Sequence, residues 1–148
     1  MQGWFKKLCQ NTTQQTIETM YSIAGHIVDG RTVLQEVPNT SSIASSLEDY
    51  ITLNGIREIS MSALDTEPPQ FYSISEKQRT QKLAEQIKMS GQISPLIVVH
   101  DNEGLYVLEG AHRFDALKIL GAKSFPALVV IDEGSINSMI NQEIPNEI

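Results

Sequence analysis

The stretch Val107-Leu108-Glu109-Gly110-Ala111-His112-Arg113-Phe114-Asp115-Ala116-Leu117 constrains this chain most: an apolar strand breaks at a glycine and resumes with helical spacing. The first turn of such a helix carries backbone N–H groups with no intrahelical acceptor, and the macrodipole favours negative charge there. Gly110, His112 and Arg113 at that end suit a phosphate. The glycine lets the backbone approach, the imidazole offers one donor and the guanidinium a fork. The same residues also read as a plain turn followed by a surface cation, and so short a motif leaves the two readings even.

The 148 residues fit one domain able to bury a core, and 41% hydrophobic with 20% charged residues is the balance of a soluble globular chain. A net charge of -7 with eleven cations argues against a broad, sequence-independent grip on DNA. Cys9 is the single cysteine, which rules out an intramolecular disulfide and a Cys-rich zinc site and fits a reducing, cytoplasmic setting. No run approaches the ~18 apolar residues of a membrane span. Met1–Cys9 lacks the apolar run and cleavage site of a signal peptide and is read as a short helical cap.

Ile17, Met20, Tyr21 and Ala24 predict a helix over 11–25 that ends at Gly25. Residues 30–39 read as a connection, with Val33, Leu34 and Val37 as a short strand before Pro38. After Thr40-Ser41-Ser42, the spacing of Ile43, Leu47, Tyr50 and Ile51 predicts a second helix closed near Asn54-Gly55. Ile56–Met61 alternates as a half-buried strand, and Thr66-Glu67-Pro68-Pro69 breaks regular structure. Ser75-Glu76-Lys77-Gln78 has the form of a capping box that opens a helix with Leu83, Ala84 and Ile87 inward and Gly91 at its end. Pro95–Val99 and Leu105–Leu108 are strands joined by Asp101–Gly104. The cradle helix then runs through Phe114, Leu117 and Leu120 to Gly121, before a last strand, Pro126–Ile131. The tail from Asp132 is expected to hold a helical turn.

This order from Ile56, β-loop-α-β-β-α-β, predicts an α/β (α+β) fold, a compact mixed sheet with packed helices. The expected division is a helical N-terminal extension over 1–55 and a domain over 56–148 with a short C-terminal tail. The extension is too small to own a core and is expected to dock on the α/β unit or on another subunit. A chain beginning near Gly55 is then expected to keep the fold and the pocket but to lose stability or self-association.

At these residues the chain resembles the ParB/sulfiredoxin-like superfamily over 56–131. The resemblance rests on Gly91-Gln92-Ile93-Ser94-Pro95, on Glu109–Ala116 and on Leu120-Gly121-Ala122-Lys123-Ser124-Phe125-Pro126, with the spacing between them. That superfamily hosts CTP-binding partition proteins, a cysteine sulfinic acid reductase, free serine kinases and proposed nucleases, and fold alone does not select among them. Sulfiredoxins carry Gly-Cys-His-Arg here. Ala111 stands in the place of the reactive cysteine, so sulfiredoxin activity is not expected. Partition proteins carry Gly-Glu-Arg-Arg or Gly-His-Arg-Arg, which Gly110, Arg113 and Ala116 match. Their Glu-Asn-x-x-Arg element and helix-turn-helix have no counterpart here, so a DNA clamp is not expected. Free serine kinases carry Asp-Gly-His-His-Arg and the same Leu-Gly-Ala-Lys block, and the resemblance implies a glutamate base in the loop after the first strand, where Glu67 lies.

The expected site follows. Gly110, Ala111, His112 and Arg113 receive phosphate, Arg113 acting on the ligand and not on helix stability. Gln92 and Ser94, entered through Gly91, offer amide or hydroxyl contacts to a base or ribose, and Gly91 also caps the preceding helix. Glu109 either holds magnesium through water or pairs with Arg113 or Lys118. Asp115 reads as a surface acid, and His26 and His100 as ordinary turn or surface residues. The first expectation is a cytoplasmic domain binding a nucleotide (ATP, ADP or CTP) or another phosphorylated ligand, as a magnesium-dependent phosphotransferase or nucleotide hydrolase with Glu67 as base. The second is a non-catalytic adaptor whose residues 1–55 bind a protein partner or a second copy. The third, a DNA-associated accessory protein or nuclease, is disfavoured by the acidity.

Overall fold

The computed structural model describes residues 16–35, 50–64, 74–132 and 134. Residues 16–20 are helical, followed by β1 (Ile27–Val28), β2 (Arg31–Val33) and β3 (Tyr50–Ser60). A 3-10 turn, Met61–Leu64, precedes α1 (Ile74–Ser90) and β4 (Gln92–Ile93). The chain closes with β5 (Leu96–Asp101), β6 (Gly104–Glu109), α2 (Ala111–Ile119) and β7 (Ser124–Asp132). The fold class is the mixed α/β arrangement that the alternation of strand and helix patterns predicts.

Four strands form the main sheet in the order β3-β7-β5-β6. β5 and β7 run parallel, from Leu96↔Ala127 to His100↔Ile131, and the outer strands pair antiparallel. Strand alternation sends Leu53, Ile59, Leu96, Val98, Phe125, Ala127, Val129 and Ile131 into one core with Phe114 and Leu117 of α2. Ile97, Val99 and Val130 are wholly buried on the opposite face. α1 lies along α2 through Ala84, Ile87 and Ala116, with Leu83 and Leu120 beside them. These small and branched side chains allow close helix contact.

A second, smaller sheet has the order β1-β2-β4. β1 and β2 form a hairpin whose two loop residues, Asp29 and Gly30, both take positive φ, 52° and 77°. That is the left-handed turn that matches strand twist. β2 then runs parallel to β4, with Thr32↔Gln92 and Val33↔Ile93 in register.

Several expectations for the N-terminal third are corrected here. The helix foreseen over 11–25 is helical at 16–20 but has left that conformation by Ile23, which bridges to Arg57 of β3. The second helix, foreseen through Tyr50 and Ile51 to Asn54-Gly55, is strand at those four positions. Gly55 does not stop a helix. With φ 83° it sits in a register shift between Thr52 and Ile56, and this bulge lets β3 carry on as one strand. The boundary drawn between 55 and 56 therefore falls inside β3. The Ile43–Leu47 part of that helix, and the tail after Asp132 apart from residue 134, lie outside the described residues. Ile17, Val28 and Val33 enter the same core as the main sheet, so the N-terminal segment shares that core.

Arg57 fastens that segment. Its side chain is buried, its Nε and Nη2 donate to the Asn54 carbonyl at 3.1 and 2.8 Å, and its Nη1 donates to the carbonyls of Glu18 and Tyr21 at 3.1 and 2.9 Å. Backbone bonds from Ala24 N–H to Ile56 O and from Glu58 N–H to Ser22 O run alongside.

Candidate functional site

β6 ends at Glu109, opposite Ile97 of β5, and Gly110 turns the chain into α2 with φ 103° and ψ 27°. This conformation suits glycine, and space demands it as well. A Cβ at Gly110 would stand 2.8 Å from Cγ of Leu96, itself wholly buried. The strand-glycine-helix pattern is thus a packing solution: α2 begins directly over β5.

The Gly110 carbonyl accepts from Phe114 N–H at 2.8 Å, and no side chain caps the first turn. The amides of that turn have no acceptor within the helix. Ala111 and His112 are exposed around it. The local geometry is that of an anion-receptive helix end.

Arg113 is half-buried and bonds the backbone that enters β5. Its Nη1 donates to the carbonyls of Ser94 and Pro95 at 3.0 and 2.8 Å. Burial pushes its pKa below the ordinary value, against the opposing charge of Glu109. The expectation that Arg113 acts on a ligand alone is therefore corrected: one corner of the guanidinium clamps the backbone that enters β5. Nε and Nη2 make no hydrogen bond among the described residues. The same clamp brings the two sequence blocks, 91–95 and 109–113, together.

Gly91 closes α1 as expected, with φ 65° and its N–H donating to Ile87 O at 2.9 Å. Gln92 is exposed on β4, its backbone N–H donating to Ser90 Oγ at 3.2 Å, and Ser94 is half-buried beside the clamp. Glu109 is half-buried and makes no ion pair with Arg113. Asp115 is not a simple surface acid. It is half-buried, and burial raises its pKa against the opposing charges of Lys118 and His112. Glu67 and Cys9 lie outside the described residues.

Among the described residues no three His, Cys, Asp or Glu side chains converge on a metal. A magnesium ion here would lean on ligand phosphates and water, with Glu109 as the adjoining carboxylate. That is an ordinary arrangement for this cation.

His100, read as a turn or surface residue, is corrected. It is half-buried in β5, and its Nδ1 lies 2.8 Å from the Tyr21 hydroxyl in a hydrogen bond, with the rings edge to face. Burial lowers its pKa, opposed by Asp101. Nothing in the local sequence announces a contact between residues 79 positions apart. The Asp29-Gly30 pair, by contrast, carries a hairpin signal that went unread. Asp29 also reaches beyond the hairpin: its Oδ2 accepts from Lys123 N–H at 2.9 Å and from Arg31 Nη1 at 3.1 Å.

No helix among the described residues is long and apolar enough to cross a membrane. The chain is 22% identical over 100 residues to the chromosome-partitioning protein ParB of Myxococcus xanthus (strain DK1622), covering 68% of this chain and 34% of that protein. The chain thus spans about a third of the curated relative it matches. Among solved structures it is similar to sulfiredoxin from Arabidopsis thaliana, with TM-score 0.40 and 17% identity, covering 58% of this chain and 93% of that one. It is also similar to the C-terminally truncated chromosome-partitioning protein ParB from Caulobacter crescentus complexed with CTP-gamma-S. There the TM-score is 0.43 and the identity 19%, covering 64% of this chain and 56% of that one. The ParB N-terminal domain family matches residues 45–143, more than half of the sequence and the whole of the main sheet, and the chain belongs to that family.

Proposed function

We propose that the chain is a nucleotide-binding domain whose phosphate cradle is the Gly110-led first turn of α2, with His112 and the free corner of Arg113 as side-chain donors. The observation that carries the reading is the uncapped, solvent-facing helix end at Gly110, which lies within the residues that match the family. Gln92 and Ser94 supply contacts to base or ribose from the neighbouring turn. Magnesium enters with the phosphates, and Glu109 is its adjoining carboxylate.

The test is calorimetric titration of the full chain with ATP, ADP and CTP, with and without magnesium, beside His112→Glu, which removes a donor and adds a carboxylate. A carboxylate at this exposed N-terminal position suits the helix dipole yet repels a phosphate. Binding of at least one nucleotide, lost in the variant, supports the reading. Binding of none, or equal affinity in both chains, overturns it.

Turnover is an extension carried by the likeness of Glu109–Arg113 to the free serine kinase pattern. In it Glu67 is the base, and Glu67→Gln should abolish phosphoryl transfer or hydrolysis while leaving nucleotide affinity intact. Full turnover in that variant clears Glu67.

A second reading, docking of a protein partner through the N-terminal segment, is favoured by Met20, Ile23 and Ile27, which are 59%, 67% and 65% exposed. No shift of resonances in that segment with any nucleotide, together with concentration-dependent association lost in Ile23→Ser, would favour it over the first.

A further inference from the structure

The hairpin β1–β2 is held at both ends by the machinery of α2. At its base, Thr32 N–H donates to Gly91 O at 2.8 Å and Leu34 N–H donates to Ile93 O at 2.9 Å. These bonds lay β2 along β4, whose continuation, Ser94-Pro95, is the backbone that Arg113 clamps. At its tip, Asp29 Oδ2 accepts from Lys123 N–H, in the loop that follows α2. The hairpin therefore grips the segment clamped by the N-terminal turn of α2 and also the loop beyond its C-terminus.

We infer that the β1–β2 hairpin is the responsive element of the cradle, and that Arg113 is the positioning residue joining the two. A ligand phosphate drawing on Nε and Nη2 pulls on the same rigid guanidinium plane whose Nη1 holds the Ser94 and Pro95 carbonyls. A planar group cannot reorient at one edge alone. Occupancy of the cradle then firms or shifts the 94–95 turn, and with it β4 and the two amide bonds that carry β2. The ligand half of this inference rests on the nucleotide reading above, whereas the mechanical half does not.

The experiment is residue-resolved amide hydrogen exchange on the full chain as wild type, Arg113→Ala and Arg113→Lys. In the ligand-free alanine variant, Thr32 and Leu34 should exchange about tenfold faster, while β5 and β7 hold their protection, since both carbonyl bonds that anchor the 94–95 turn to α2 are lost. Arg113→Lys, which keeps the charge and can reach one carbonyl, should fall between and serves alone if the alanine variant does not fold. Unchanged exchange at Thr32 and Leu34 overturns the inference, as does uniform acceleration across the molecule, the mark of general destabilisation. With CTP or ATP and magnesium, wild type should slow at Thr32 and Leu34 and the variants should not. Binding to wild type without that slowing also overturns it. If neither nucleotide binds, the nucleotide reading fails, and the ligand-free arm still decides the coupling.

Discussion

Adding one methyl group at Gly110 would set a Cβ 2.8 Å from Cγ and 3.4 Å from Cβ and Cδ2 of Leu96, on a backbone with φ 103°. Leu96 is wholly buried and has nowhere to yield. Gly110→Ala should therefore cost roughly 1–3 kcal/mol in urea unfolding, through strain and overpacking together. An unchanged midpoint would show that the turn relaxes freely. His112→Glu, at an exposed position of the same turn, should lose nucleotide binding while shifting stability by no more than about 0.5 kcal/mol. The glycine, the histidine and the open helix end were legible from a strand pattern meeting a helix pattern. The backbone clamp made by Arg113 was not. Its partners are carbonyls, which every residue carries, so no residue type at 94 or 95 could have marked them.

His100 joins β5 to the N-terminal segment through Tyr21, and its titration should be visible in the stability of that joint. Burial holds the folded-state pKa below the ordinary 6.5. As pH falls through 6.5 the unfolded chain takes up a proton first, so stability is full above that value and declines toward the lower folded pKa. Urea midpoints measured on either side of 6.5 should show the decline, and His100→Gln should flatten it. An equal slope in the variant would assign the effect elsewhere. The elements beyond Ile56 were legible because apolar alternation, helical spacing and turn glycines agreed with one another, although the helix opens at Ile74 and so holds Ser75 inside it and not at its cap. The first third was harder. Asn54-Gly55 can end a helix or bulge a strand, and β-bulge chemistry won only because β7 was there to pair with Tyr50–Thr52. β1 and β2, of two and three residues, are too short for any periodicity to register.

For the molecule as a whole, we propose that residues 16–35 and 50–132 fold as one cooperative unit. Ile17, Val28, Val33 and Leu53 belong to the core that holds Val98, Phe114 and Phe125. A chain starting at residue 55 would remove all four and strip β7 of its partners at 130–132. It should lose its cooperative thermal transition, against the sequence-based expectation that it keeps the fold. A sharp transition near that of the intact protein would restore the earlier boundary. The way Arg57 fastens this unit has a consequence for the solutions in which it endures. Its acceptors are three backbone carbonyls, which neither take up protons across the working range nor carry a counter-charge for added electrolyte to shield. Acid that unsettles the Tyr21–His100 joint leaves this fastening whole. High ionic strength, which loosens the Arg31–Asp29 pair at the hairpin tip, leaves it whole too. The segment should come away from β3 only with the fold itself.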